Sequence, residues 1–267
     1  MAPPMKPLRN AAALVCGAAL AGCAGVPRDE LLASAAIVAG LELESGLRVE
    51  AARFSAGRAG EAPPGDWSSF TVWPFGTRTE YRLVQGNPSV VLEARADGSA
   101  SGFYRRIRID PARHPVVEWR WRVLQPLAHA DPRDPSREDS PARLVISFHG
   151  DAKRLDIGER NTLRFYKALT GELLPYAMLM YVWSSDAPVG TIAASVYTDK
   201  IQMIVVENGG SRTGEWREFR RNVLEDYRRV FGEEPSDIVA VGVMTDADHT
   251  PAKARTQYGD ITFRPAE

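Results

Sequence analysis

The strongest constraint on the fold of this chain is an alternation of apolar and charged residues between positions 116 and 124. A period of two places successive side chains on opposite faces of a β-strand. The segment therefore predicts a strand with one buried face and one face turned to solvent. The apolar positions are Val117, Trp119, Trp121 and Val123, and the charged positions between them are Glu118, Arg120 and Arg122.

The same period recurs along most of the chain. Altogether about ten strands are expected, and that number predicts two packed antiparallel sheets. We therefore predict a mainly all-β fold, an antiparallel β-sandwich of the jelly-roll type. The other strand candidates lie at 47–54, 68–72, 81–84, 90–94, 103–109, 143–149, 201–205, 239–244 and 261–263.

One segment follows a helical period instead. From Trp216 to Phe231 the large apolar residues recur at intervals close to 3.6 residues, and Gly232 is placed to end a helix. This pattern predicts one amphipathic helix over about 216–231, packed on a sheet. A shorter helix is expected after Leu31. The proline- and charge-rich stretches 55–66 and 125–141 are expected to be long surface loops.

The first residues have the layout of a bacterial secretory signal. Lys6 and Arg9 precede an apolar stretch that ends in Leu20-Ala21-Gly22-Cys23. These four residues resemble a lipobox, and the resemblance implies cleavage before Cys23 and acylation of its thiol. The alternatives are a plain secretory peptide or an apolar helix that stays in the fold.

On the lipoprotein interpretation, residues 1–22 are the signal peptide, 23–46 a lipidated N-terminus and tether, and 47–267 a single β-sandwich domain. A multiply acylated cysteine would hold the protein stably on a membrane surface. Ala24 stands where enteric lipoproteins of the inner membrane usually carry aspartate. Resemblance to that sorting rule implies an outer-membrane anchor with the protein facing the periplasm.

The cysteine count and the net charge argue against two classes of protein, those stabilised by disulfides and those that bind nucleic acid. The chain has two cysteines, and Cys16 would leave with the signal peptide, so no intramolecular disulfide is expected in the mature protein. Removing Lys6 and Arg9 leaves 31 basic against 34 acidic residues, a net charge of −3. Without a basic block, nucleic acid is not an expected partner.

The candidate binding residues lie at predicted strand ends. Asp246 and Asp248 follow an apolar strand, where a loop could present both carboxylates to a cation or a sugar hydroxyl. Glu138 and Asp139 end a proline-rich loop just before Arg143, which could clamp a carboxylate through two parallel hydrogen bonds. One hypothesis joins Asp139, Arg143 and Asp248 in a polar cluster that binds a saccharide or acidic ligand. The alternatives are a self-ordered turn and an internal salt bridge.

Arg221 and Trp183 are two further candidates. Arg221 lies beside Asn222 and Asp226, which share a helix face and could instead satisfy a neighbouring loop. Trp183 could stack on a sugar ring, as could Trp67 or Trp73. Trp119 and Trp121 share the predicted core face and are expected to be packing residues.

Familiar catalytic and metal motifs do not occur. The sequence has no Gly-x-Ser-x-Gly elbow, phosphate-binding loop, dinucleotide glycine pattern or His-Glu-x-x-His motif. Pro251 and Gln257 stand where an EF-hand beginning at Asp246 would need glycine and glutamate. No cofactor is therefore expected, although calcium at the acidic loops stays open.

Several short motifs follow one another in a fixed order along the chain. They are Trp119-Arg120-Trp121, Glu138-Asp139, Ala142-Arg143, Tyr181-Val182-Trp183, Arg221-Asn222, Asp226-Tyr227, Phe231-Gly232, residues 241–248 and residues 258–263. This series resembles a bacterial family of unknown function, DUF3047, from about Leu47 to Arg264, and the resemblance implies no activity. The closing Gly-Asp-Ile-x-Phe strand also resembles the last strand of jelly-roll carbohydrate-binding modules.

From these observations we expect a lipid-anchored envelope protein that binds a glycan or another envelope component without turning it over. Two alternatives remain. Asp139 and Asp248 could act as the carboxylate pair of a glycan-cleaving enzyme if the fold brings them to the required separation. The sandwich could instead serve as a scaffold for a protein partner.

Overall fold

The computed structural model describes residues 38, 40–71, 76–170, 174–196, 198–249 and 252–266. The predicted signal peptide, the predicted lipidation site Cys23, the expected helix after Leu31 and Trp73 lie outside these residues. The described residues form a mainly β structure of two sheets and two α-helices, as the sequence predicts.

Sheet 1 is built around the strand with the clearest alternation, and it has the order β11-β6-β13-β4-β3 with β1 beside β13. Trp119 and Trp121 face the interior, whereas Arg120 and Arg122 point away from it, as the period of two requires. The strands are β1 (Val49–Ala52), β3 (Glu80–Gln85), β4 (Val90–Asp97), β6 (Val116–Gln125), β11 (Arg217–Asn222) and β13 (Lys253–Arg264).

Sheet 2 has seven strands in the order β2-β5-β12-β7-β8-β10-β9. All neighbours in it are antiparallel except β8 and β10, which run parallel and so depart from the predicted pattern. The strands are β2 (Trp67–Thr71), β5 (Ala100–Ile109), β7 (Ser140–Phe148), β8 (Ala177–Ser184), β9 (Ile192–Ser195), β10 (Thr198–Asn208) and β12 (Ile238–Asp246).

The main core lies between the two sheets. From β4 to β7 the chain passes from one sheet to the other at every step, and it does so again from β11 to β13. This alternation is the connectivity of a jelly roll, and the predicted sandwich is confirmed. Trp119 stacks on Tyr181 of the facing sheet, with ring centroids 5.0 Å apart.

Sheet 2 is buried on both faces at its centre, which the sequence did not predict. Every residue of β7 is buried, including Arg143 and Val145 on the face turned away from the main core. A second apolar cluster covers this outer face and contains Val145, Met178, Met180, Val182, Met203, Val205 and Met244.

The predicted helix over 216–231 is corrected to a strand followed by a shorter helix. Residues 217–222 form β11, and helix α2 spans Val223–Phe231. Strand pairing with β6 overrides the helical period because Phe219 then packs on Trp119, with ring centroids 4.9 Å apart. Asn222 caps the helix by accepting a hydrogen bond from Glu225 N, and Gly232 ends it with a φ of 67°.

Replacing Asn222 by alanine is expected to lower the free energy of unfolding by about 1 kcal/mol, because the Glu225 amide loses its acceptor. Urea unfolding of the variant measures the loss. Asn222→Asp keeps an acceptor oxygen and is expected to retain wild-type stability. Equal losses in both variants would mean that the cap contributes nothing.

Helix α1, Ile157–Thr170, is absent from the sequence prediction. Its large apolar residues Ile157 and Phe165 are exposed, so it lacks the continuous buried stripe that identifies a helix from sequence. The loop before β7 also differs from expectation: it is not wholly on the surface, since Asp131, Glu138 and Asp139 are buried. Among the described residues, no helix has the length and apolar character to cross a membrane.

Candidate functional site

The polar residues predicted at strand ends gather at one end of sheet 2. β7 and β12 are antiparallel neighbours, and the first residue of β7, Ser140, pairs with the last residue of β12, Asp246. The loop that leads into β7 and the loop that leaves β12 therefore meet. Asp139 comes from the first loop, and Asp248 and His249 come from the second; we call these three residues the polar cluster.

A buried ion pair lies beside the polar cluster. Arg143 Nη2 lies 2.9 Å from Asp246 Oδ2 and Arg143 Nε lies 3.2 Å from Asp246 Oδ1, so the guanidinium clamps the carboxylate with two bonds. Ser140 N donates to the same Oδ1 at 2.7 Å. The predicted arginine clamp therefore exists, but the carboxylate that it holds belongs to the protein.

Burial sets the protonation of this ion pair. It raises the pKa of the Asp246 carboxyl to about 7, and the nearby charges of Asp139 and Asp248 add to the rise while Arg143 opposes it. Burial also disfavours the charge on Arg143, yet the combined attraction of Asp246, Glu138 and Asp139 outweighs this and keeps the pKa of Arg143 above its ordinary value. Both side chains are closed off from solvent, so neither can reach a ligand directly.

His249 joins the two aspartates of the polar cluster. Its Nδ1 lies 3.3 Å from Asp139 Oδ1 and 3.2 Å from Asp248 Oδ1, and its backbone N–H also donates to Asp139. These hydrogen bonds raise the pKa of His249 to about 10, although burial opposes the rise. The imidazole is therefore a cation at neutral pH.

The three side chains of the polar cluster differ in their exposure to solvent. The Asp139 side chain is 0% exposed, whereas those of His249 and Asp248 are 27% and 32% exposed. The buried Asp139 consequently holds the loop after β12 in place through its hydrogen bonds with His249. Asp248 and His249 are the residues of the polar cluster that a ligand could contact.

Of the remaining candidates, Glu138 lies beside the buried ion pair, where its backbone oxygen accepts from Arg143, and Arg221 lies elsewhere. Glu138 is buried and accepts from Ser195 Oγ at 3.2 Å and from Val196 N at 3.3 Å, so it holds the edge of sheet 2. Arg221 pairs with Asp226, which also accepts from Tyr181 Oη at 2.8 Å, in a separate group beside α2.

Trp183 is not a sugar-stacking residue. Its side chain is 1% exposed, and its indole N–H donates to Gly209 O at 2.8 Å. Trp67 is likewise buried, and it stacks on Phe103 in the main core. A buried ring cannot offer a face to a sugar, so both tryptophans are packing residues.

The three side chains of the polar cluster could offer ligand atoms to a cation, since those atoms all lie within 4.8 Å of one another. Calcium prefers six to eight oxygen ligands, and this set supplies two carboxylates and one nitrogen. A metal would also have to displace the proton that the two aspartates hold on His249. The donor set therefore fits calcium poorly.

Sequence reasoning missed the part played by His249. Its position directly after Asp248 was the available signal, but the partner that fixes it, Asp139, is 110 residues away. Only the pairing of β7 with β12 brings the two together.

The fold and this site define a jelly-roll-type sandwich domain with a polar cluster at one end. A family model described as "protein of unknown function (DUF3047)" matches residues 65–262. The chain belongs to this family, as the ordered motifs predict. A comparison with curated proteins finds no match.

Solved structures resemble the chain at low identity. The carbohydrate recognition domain of Emp47p is 10% identical, with a TM-score of 0.42 and coverage of 83% of this chain and 96% of that one. CtCBM11 is 10% identical, with a TM-score of 0.33 and coverage of 79% and 94%. The K3 cleaved adhesin domain of Lys-gingipain from Porphyromonas gingivalis w83 is 8% identical, with a TM-score of 0.35 and coverage of 75% and 93%. The expected likeness to carbohydrate-binding modules is thus present among the neighbours, but similarity at this level does not identify a ligand.

Proposed function

We propose that the protein binds a glycan of the cell envelope through Asp248 and His249 and does not turn it over. The observation that carries the proposal is the exposed Asp248–His249 pair, whose side chains are hydrogen-bonded to one another above the buried Asp139. A glycan presents several hydroxyl groups on one edge.

The pair offers a sugar hydroxyl both a hydrogen-bond acceptor and a hydrogen-bond donor. The Asp248 carboxylate accepts hydrogen bonds, and the imidazolium of His249 has a second ring nitrogen that can donate. Hydrogen bonds with one charged partner are shorter and stronger than neutral ones. Because Asp139 fixes His249 in place, little side-chain entropy is lost on binding.

The same geometry favours binding over glycoside hydrolysis. A glycosidase places one carboxylic acid on each side of the scissile bond, both in contact with substrate or its attacking water. Here Asp139 is closed off from solvent and occupied by His249. Of the two carboxylates that the sequence offered as an acid pair, Asp248 alone can be reached.

The cellular setting in this proposal comes from the sequence. The lipobox-like Leu20-Ala21-Gly22-Cys23 would place an acyl anchor on Cys23, which would hold the domain at the outer membrane facing the periplasm. Glycans of the envelope would then lie within reach of Asp248 and His249.

The proposal predicts that an envelope polysaccharide or peptidoglycan fragment stabilises the protein in a thermal-shift screen. A ligand at 100 times its Kd adds about 2.7 kcal/mol to the free energy of unfolding. Asp248→Asn is expected to weaken that ligand about tenfold or more, because a hydrogen bond to a charged group is worth about 1.5–3 kcal/mol. The matched control is Asp97→Asn, an exposed aspartate that pairs with Lys253.

The possible outcomes separate the classes of function. Binding that falls in Asp248→Asn but not in Asp97→Asn supports the proposal. Glycan cleavage that disappears in Asp248→Asn would replace it with hydrolysis. A panel with no stabilising glycan would contradict it and point to a protein partner, to be sought by co-purification from membranes.

A further inference from the structure

The outer face of sheet 1 carries an excess of positive charge that neither the core nor the polar cluster uses. Strand pairing places charged residues of five neighbouring strands on this one face, where seven arginines and Lys253 outnumber four glutamates and Asp97. The arginines are Arg82, Arg95, Arg120, Arg122, Arg220, Arg255 and Arg264, and the glutamates are Glu80, Glu93, Glu118 and Glu218.

Five of the seven arginines pair with these glutamates. The pairs are Arg82 with Glu80, Arg95 and Arg255 with Glu93, and Arg220 and Arg264 with Glu118. Arg120 and Arg122 differ from the rest, because neither forms an ion pair with any carboxylate in the described part of the chain. Glu218 is the register partner of Arg120 and makes no ion pair with it. The unbalanced charge of this face is therefore concentrated at Arg120 and Arg122.

Trp216 holds the two unpaired arginines together. The guanidinium carbon of Arg120 lies 4.7 Å from the centroid of the Trp216 ring, and that of Arg122 lies 4.9 Å from it. Both distances are those of cation–π contacts. Gly259 makes room for this arrangement, since a Cβ there would come within 2.6 Å of Arg120 Cγ. Both guanidinium charges thus lie against one aromatic ring.

Few of the donors of this group are used. Arg120 Nη2 donates to Ser89 Oγ at 3.2 Å, and Arg122 Nη2 donates to Gln257 Oε1 at 2.5 Å. Arg122 Nε and Trp216 Nε1 are buried and have no acceptor among the described residues. Because a guanidinium has five N–H donors, most of those on Arg120 and Arg122 have no acceptor within the part of the chain that the structure describes.

We propose that Arg120, Arg122 and Trp216 form an anion-binding site for a carboxylate or phosphate group carried on a glycan. An anion bound at these guanidiniums would offset their positive charge and accept hydrogen bonds from their unused donors. The anion-binding part rests on the arginine pair alone. The glycan part rests on the proposed function, since a charged polysaccharide would then bind to sheet 1 as well as to the polar cluster.

The test is binding of two anionic probes to the purified full chain by isothermal titration calorimetry. Polygalacturonate offers carboxylates, inorganic phosphate offers the phosphoryl group, and uncharged dextran is the neutral control. At least one anionic probe is expected to bind, with an affinity that falls as salt is raised. Arg120→Gln and Arg122→Gln are each expected to lose about tenfold or more in affinity. The stronger of the two probes identifies the anionic group.

Arg82→Gln is the matched control, because Arg82 is an arginine of the same face with its own carboxylate partner. It is expected to keep wild-type affinity; an equal loss would mean diffuse attraction and would overturn the site. Failure of both anionic probes to bind would also overturn it. If a glutamine variant does not fold, Arg120→Lys keeps the charge but not the planar fork, and a loss of affinity in it supports the site, whereas wild-type affinity overturns it.

Asp248→Asn separates this proposal from the proposed function. The variant is expected to bind the anionic probes as well as wild type does. Anion binding that persists when no neutral glycan binds would leave the arginine site standing and remove the function proposed for the polar cluster.

Discussion

Replacing Arg143 by methionine is expected to lower the free energy of unfolding by about 3–5 kcal/mol, the usual cost of removing one partner of a buried ion pair. Asp246 would lose both hydrogen bonds from the guanidinium and would stay buried. Of its hydrogen-bond donors in the described residues, Ser140 N would remain. Methionine suits the space because Arg143 Nη1 already lies beside the sulfur atoms of Met180 and Met203. Urea unfolding at neutral pH measures the change.

A double variant shows whether the loss comes from the unpaired carboxyl. Arg143→Met with Asp246→Asn removes both charges and keeps an oxygen for Ser140 N, so most of the lost stability is expected to return. Asp246→Asn alone leaves the buried Arg143 charge unpaired and is expected to be destabilised as well. A double variant as unstable as the two single losses added together would show that the residues do not act as a pair.

The alternation along β6 and its recurrence along most of the chain were together sufficient to predict the sandwich. Trp119 and Trp121 are buried, and the charged residues between them lie on the outer face. The pattern is readable because sheet 1 has one face against the core and the other toward solvent. β7 shows the limit of this reasoning, because a second apolar cluster covers its outer face and the alternation no longer reports burial.

The two helices could not be placed correctly from local pattern. The segment before α2 has helical spacing, yet its pairing with β6 makes it a strand. Helix α1 exposes Ile157 and Phe165, so its sequence lacks the buried stripe that such reasoning depends on. In both cases a tertiary contact, or the lack of one, overrides the local signal.

Some residues of the site were predictable from the sequence, but the role of His249 and the pairings were not. Asp139, Arg143 and Asp248 do come from loops and strand ends that meet, as the sequence suggested. The choice of partners depends on the register that places Ser140 opposite Asp246, which composition and spacing do not contain. With that register, Arg143 forms an ion pair with Asp246, and Asp139 is hydrogen-bonded to His249.

The stability of the protein is expected to fall as pH rises from about 6.5 to 10, and His249 is the cause. Hydrogen bonds from Asp139 and Asp248 raise its pKa from 6.5 to about 10 in the folded state. The folded protein then holds the proton more tightly than the unfolded chain does. This contribution is fully present below pH 6.5 and is lost as pH passes through 10. The pKa difference sets an upper limit of about 5 kcal/mol, which solvent screening at the partly exposed His249 lowers. Urea unfolding at several pH values measures it.

His249→Gln tests the assignment because glutamine can donate a hydrogen bond but does not titrate. The variant is expected to be less stable than wild type at pH 6.5 and to show little decline toward pH 10. Asp246 acts in a different window: burial raises its pKa from 3.8 to about 7, so its contribution is lost as pH rises through 7. His249→Gln should therefore leave the decline below pH 7 unchanged. A variant that keeps the full alkaline decline would mean that His249 is not the titrating group.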